Sequence, residues 1–370
     1  MKTKILLLTL ATLSGTSIIA QENQQKAVSK QFTDVIKLAA TPVKNQASSG
    51  TCWSYATASF LESELLRTGK GEYDLSEMFI VRANYLARMD DNYLRSGRGN
   101  LGQGSVGHNF INFVALEGIV PQEVYNGINY DSKLNDHKEL NKYINQISEG
   151  AVELKKRSPE YYKLINSLFD IYLGAVPQKF TYKGKEYTPK TFASSLGLNM
   201  SDYVEITSFT HHPFYSLIPV EVPDNWDFGK MYNVPLNELM QIADNALNNG
   251  YTICWDGDVS EKGFKHNFGF AVIPEKADDL LSKEIQVTQE SRQKGFEDFT
   301  TTDDHLMHIT GISKDENGSK FYITKNSWGT ERNSYGGYLH ISENYFKAKC
   351  ISILVNKNAV PKEIRAKLGF

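Results

Sequence analysis

Three cysteines in 370 residues, Cys52, Cys254 and Cys350, are too few for a disulfide framework, and at least one thiol must stay free. All three are expected to be reduced, with Cys254 and Cys350 read as inert packing thiols in strand-like runs. No stretch is rich in Lys and Arg and the net charge is −3, so nothing argues for nucleic acid or an anionic membrane surface as partner. Beyond the first twenty residues no apolar run is long enough to span a bilayer. Internal repeats and low-complexity tracts are absent. What remains is a chain with 41% hydrophobic and 12% aromatic residues, enough to build one large domain or two modest ones.

The start of the chain reads as a targeting segment. Lys2 and Lys4 precede an apolar core from Ile5 to Leu13, and Ile18-Ile-Ala20 precedes the polar Gln21. Cleavage after Ala20 would release a soluble, exported product, bacterial and periplasmic or extracellular. No cysteine follows the apolar core, so a lipid anchor on a thiol is excluded. Residues 21–30 are expected to form a flexible lead-in.

The richest stretch is Gln46-Ala-Ser-Ser-Gly-Thr-Cys52-Trp53. It sets a cysteine just after a Ser/Gly-rich turn, at the start of a helix in which Ala56, Phe60 and Leu61 recur at helical spacing and which Gly69 stops. A thiol there feels the positive end of the helix dipole, which favours thiolate. The amide of Gln46 is close enough in sequence to fold over the same pocket. Near the other end, His305 to Gly311 and Phe321 to Asn326 read as strands joined by the turn-rich Ser313-Lys-Asp-Glu-Asn-Gly-Ser319. Pairing of these strands would set His305 beside Asn326. Cysteine, histidine, asparagine and an amide donor make a complete inventory for thiol-dependent acyl transfer.

With these residues the chain resembles papain-like cysteine peptidases, and among them the bleomycin hydrolase/aminopeptidase C branch. The resemblance is carried by Gln46 to Ala56, by Asp304 to Gly311, and by Lys325-Asn-Ser-Trp-Gly329 with Tyr335-Gly-Gly-Tyr-Leu-His340 after it. Cys52 and His305 are separated by roughly 250 residues against the roughly 130–150 usual for papain-like enzymes. An insertion of about that excess favours the branch named. The resemblance implies an α+β, two-lobe fold: a helical lobe at 31–130, a helical insertion at 131–200, and a β-rich open barrel at 201–357 facing the first lobe across a cleft.

It also implies roles. Cys52 is the nucleophile, with its pKa depressed to about 3–4 by pairing with imidazolium. His305 is the base, Asn326 orients it, and Gln46 with the Cys52 N–H forms the oxyanion hole. Trp328 covers the Asn–His contact, and Trp53 supports the nucleophile. Gly104-Ser105 stands where relatives bind the substrate main chain edge-on, with the Ser105 side chain narrowing the groove. The arm 358–370, ending at Phe370, is either a resident peptide in the cleft whose carboxylate meets the substrate's α-amine, or a docked surface tail. Peptides are the implied substrates, no metal or organic cofactor is needed, and a homo-oligomer, hexameric in the branch, is implied.

Other residues keep two readings. His305 and His308 lie three apart on one strand and point to opposite faces, so they cannot chelate one ion, and His308 is read as a packing histidine. Asp303 and Asp304 either raise the basicity of His305 or are surface acids. His211-His212-Pro-Phe-Tyr215 either shapes the substrate cleft or serves turn chemistry. The leading function is a cysteine aminopeptidase working through a Cys52 thioester. An endopeptidase, a transpeptidase and a non-catalytic papain-fold binding protein are the rivals.

Overall fold

The computed structural model describes residues 30–370. The expected export segment 1–20, and the polar stretch as far as 29, lie outside the described residues. In chain order, β1 (Phe32–Lys37) is followed by α1 (Cys52–Arg67), α2 (Glu77–Leu94), α3 (Gly107–Glu117), α4 (Lys138–Leu154) and α5 (Pro159–Leu173). A small hairpin, β2 (Phe180–Tyr182) and β3 (Lys185–Tyr187), precedes α6 (Pro189–Leu196). Strands then dominate: β4 (Tyr203–Thr207), β5 (Ser216–Pro219), β6 (Lys230–Asn233), α7 (Leu236–Asn248), β7 (Ile253–Gly257), β8 (Phe264–Lys265) and β9 (Phe270–Ala271). The chain closes with α8 (Gln289–Glu297), β10 (His305–Asp315), β11 (Lys320–Lys325), β12 (Tyr338–Ser342), α9 (Glu343–Lys349), β13 (Cys350–Asn356) and α10 (Lys362–Leu368).

Eleven strands form one open sheet, ordered β5-β6-β4-β13-β7-β10-β11-β12-β9-β8, with β1 pairing to the second half of β10. The sheet does not close on itself. Its alternation divides the molecule. Cys254, Leu306 and Leu354 face α1 and join the core of the helical lobe. Trp255, Met307, Ile309 and Ile353 face the other way, onto α7. Because α1 is buried along nearly all its length, its first residue is fixed relative to the strand ends.

The closing arm lies on the α7 side. Ile364 and Leu368 are buried in the core beneath α7, Lys367 pairs with Glu238, and the Phe370 ring packs 5.0 Å from that of Tyr232. Phe370 is therefore on the sheet face turned away from α1, and the expectation of a cleft-resident C-terminus is corrected. The reason is the amphipathic spacing of Ile364 and Leu368, whose burial against that core outweighs an extended course.

Candidate active site

Cys52 opens α1, in the first turn, where backbone N–H groups have no intrahelical acceptor. The residue is only 8% exposed. The backbone of Leu306, the residue after His305, lies near enough to the sulfur to favour its thiolate, which sets the end of β10 against the start of α1. His305 Nε2 lies 2.7 Å from Asn326 Oδ1. That oxygen can only accept, so Nε2 carries the proton and Nδ1 keeps its lone pair. The β10–β11 hairpin makes this pairing: the strands run antiparallel with His308 opposite Lys325, and Gly318, at φ 81°, turns the loop between them.

Asn326 is itself held. Its Oδ1 also accepts from the Ser327 N–H at 2.7 Å, and its Nδ2 meets His266 Nδ1 at 3.3 Å. The Trp328 ring lies 4.8 Å from His305 and 5.0 Å from His266, roofing both contacts. His266 was not among the residues singled out from the sequence. It sits at the start of a single helical turn at 266–268, and nothing in its neighbours marks it.

Gln46 couples the two halves of the chain. Its N–H donates to the Ser327 carbonyl at 2.9 Å, and its Oε1 accepts from Ser327 Oγ at 2.6 Å. Its Nε2 donates one hydrogen to the Ser49 carbonyl at 2.8 Å, leaving a second N–H for a ligand. Trp53 is fully buried, and its Nε1 donates to the Gln103 carbonyl at 3.0 Å, while Gln103 Oε1 accepts from Gly50 N–H at 2.8 Å. Trp53 thus tethers the loop carrying Gly104.

Burial dominates the electrostatics. It pushes the Cys52 thiol up to about 12, with the Leu306 backbone opposing and Asp224, Asp303 and Asp256 adding to the rise. It pushes His305 down to about 4, with the Asn326 bond opposing and His266 reinforcing. The expected depression of the Cys52 pKa concerns its pairing with imidazolium, whereas burial acts on each charge alone and in the opposite direction. Desolvation disfavours each charge separately.

The remaining expectations sort themselves spatially. His308 faces α1, its Nδ1 2.9 Å from Ser59 Oγ, on the opposite face of β10 from Met307. Asp304 is exposed and caps Ser260 N–H, but Asp303 is half-buried with its Oδ2 out of solvent, so its reading as a surface acid is corrected. Ser105 is completely buried and donates to Asn109 Oδ1 at 2.7 Å. Its side chain points into the helical lobe, so it does not narrow the groove as expected.

What occupies that position is Asp224. A Cβ built on Gly104 would lie 1.8 Å from Asp224 Oδ2. Gly104→Ala is accordingly expected to displace the 221–229 loop and lower kcat/KM, at a stability cost of about 1–3 kcal/mol, measured by steady-state kinetics and denaturant unfolding. The loop is anchored by Glu221, whose carboxylate takes His211 Nε2 at 3.0 Å and His212 Nε2 at 2.6 Å. Among the described residues these three form the one group with metal-ligand spacing. Gln293 Nε2 meets His211 Nδ1 at 2.9 Å, which puts the ring proton on Nε2, facing Glu221, so the trio reads as a hydrogen-bonded clamp.

Comparison with known proteins gives one consistent answer. The sequence profile of the Peptidase C1-like family matches residues 102–369. "Cysteine proteinase 1, mitochondrial" of Saccharomyces cerevisiae is 25% identical over 95% of this chain and 82% of its own length. Aminopeptidase C of Lactobacillus helveticus is 21% identical over 94% of this chain and 86% of its own. The crystal structure of PepW from Lactobacillus rhamnosis superposes with a TM-score of 0.70 at 20% identity, over 91% of this chain and 84% of that one.

Proposed function

The chain belongs to the Peptidase C1-like family, and from that membership we propose how its cleft works. It is a cysteine-type peptidase of papain-like fold. The observation that carries the reading is the His305 Nε2–Asn326 Oδ1 bond at 2.7 Å, made while the next residue's backbone meets the Cys52 sulfur.

Nδ1 of His305 takes the Cys52 proton as substrate displaces water, and the sulfur attacks the scissile carbonyl. The resulting oxyanion lies toward the second N–H of Gln46 Nε2 and the Cys52 N–H. His305 returns the proton to the departing amine, leaving a thioester, then takes a proton from water, which attacks and frees the acid. Transfer of the proton within the pair creates both charges together, so their attraction offsets the desolvation that each feels alone.

Relatives named aminopeptidase C favour release of N-terminal residues over internal cleavage. The test is digestion of a diverse peptide pool with free and with acetylated amino ends, plus an added amine. Internal cuts in acetylated peptides would identify an endopeptidase. Amine-capped products would identify a transpeptidase, and no products would leave a binding protein. We carry two further expectations forward: export directed by residues 1–20, checked by sequencing the amino end of the cell-free or periplasmic protein, and self-association, checked by sedimentation.

A pH profile follows from the site. His305 must be neutral to accept the thiol proton, and its folded value of about 4 lies below the ordinary 6.5. Free-enzyme kcat/KM is therefore expected to hold through pH 6.5 and to fall as pH drops through about 4. The same depression means that the unfolded state binds the extra proton between those values, so His305 withdraws stability as pH falls from 6.5 to 4.

A further inference from the structure

Three carboxylates outside the proposed catalytic set lie near enough to Cys52 to act on its thiol. Asp256, on β7, pairs across the sheet with Leu306, whose backbone meets the Cys52 sulfur. Asp303 lies two residues before His305, and its charge acts on Asp256. Asp224 descends from the 221–229 loop onto Gly104. The charge of all three reaches the nucleophile.

A second observation concerns what they lack. Asp256 is 1% exposed, yet neither of its oxygens has a hydrogen-bond partner among the described residues, and Asp303 Oδ2 has none either. The groups acting most strongly on this pair are other acids. Arg88 attracts Asp224, but its Nε and Nη1 donate to the Asn100 and Gly104 carbonyls. Burying carboxylates without donors is costly, and a group that supplies several N–H donors with a positive charge relieves it.

We propose that Asp224, Asp256 and Asp303 form the subsite that receives the α-ammonium of the substrate's first residue. The inference rests on the aminopeptidase reading and adds the residues that enforce it, since Phe370 is on the other face of the sheet. Burial raises both Asp256 and Asp303, Asp303 to about 7, with the charge of Asp303 adding to the rise in Asp256 and that of Asp224 to the rise in Asp303. An ammonium ion brings three donors, which the pair and Asp224 accept. Asp224 also caps Gly104, so a chain extending past its amino end along that backbone meets a carboxylate.

The experiment compares wild type with Asp224→Asn, Asp224→Glu and Asp303→Asn on aminoacyl-coumarin substrates with free or acetylated amino ends, together with an Nα-acetyl-lysyl substrate. Unfolding midpoints and iodoacetamide labelling of Cys52 confirm an intact site. If Asp303→Asn fails to fold, Asp224→Asn, in a loop, carries the test. Each Asn variant is expected to raise KM for free-amine substrates and lower the free-to-acetylated ratio of kcat/KM by roughly 10–100-fold, as for loss of one charged hydrogen bond. Asp224→Glu is expected to recover part of it. A folded, labelled Asp224→Asn with the wild-type ratio overturns the inference. So does a loss confined to the Nα-acetyl-lysyl substrate, which would assign the acids to a side chain. Wild type that cuts free and acetylated substrates equally overturns the aminopeptidase reading itself, before any variant is made.

Discussion

Cys52→Ala is expected to lower kcat by at least about 10⁴-fold, with the unfolding midpoint almost unchanged. The sulfur forms the covalent bond, and no other described cysteine can replace it. Cys254 is buried beside Thr57 and Cys350 beside Ser352, both held as neutral thiols by burial. Removing one sulfur from a helix start removes little packing, so loss of activity and loss of fold separate cleanly. Iodoacetamide should accordingly inactivate with one label per chain, and a tryptic map should place that label on Cys52. Full activity in Cys52→Ala would refute the mechanism outright.

Gln46→Glu is expected to cost about 10²–10³ in kcat, the usual loss for one oxyanion donor. Alanine is a poorer probe, because Gln46 has two jobs. Its Oε1 accepts the Ser327 hydroxyl and so ties the loop before α1 to the segment after β11. Alanine would leave that buried hydroxyl without its acceptor, at about 1–3 kcal/mol, and would confound the kinetics. Glutamate keeps the acceptor and removes the NH2, while its negative charge opposes the oxyanion. A Gln46→Glu enzyme with wild-type kcat would assign the oxyanion to other donors.

The elements around these residues were legible where periodicity was strong. The helix expected from Cys52 is α1, and the helical lobe expected at 31–130 holds α1 to α3, with Ser76 as the cap of α2. The hairpin expected around Ser313 to Ser319 joins β10 to β11. Weaker patterns failed. The Phe180–Tyr187 hairpin is short and lies in a segment whose charge reads as helix, and β5 and β6 gain their strand character from each other and from β4.

Site residues divide in the same way. Cys52, His305, Asn326 and Gln46 were legible because each sits in a local motif whose chemistry requires that residue type. His266, and the acids Asp224 and Asp256, carry no local mark. Lys44 with Glu62 and Glu77, and Lys325 with Ser59, likewise form a buried polar group beneath Asn326 that no spacing announces. Such residues acquire meaning only from what folds against them.

Order along the chain therefore determined the reaction: a thiol at a helix start, an imidazole and an amide on a hairpin, and a second amide upstream. Tertiary structure decided the ionisation and the surroundings. It raised the thiol and lowered the imidazole by enclosing them, sent Phe370 to the far face of the sheet, and gathered carboxylates from three distant segments around the nucleophile. The physical reason is that bonding capacity belongs to a residue, whereas solvation and electric field belong to everything packed around it.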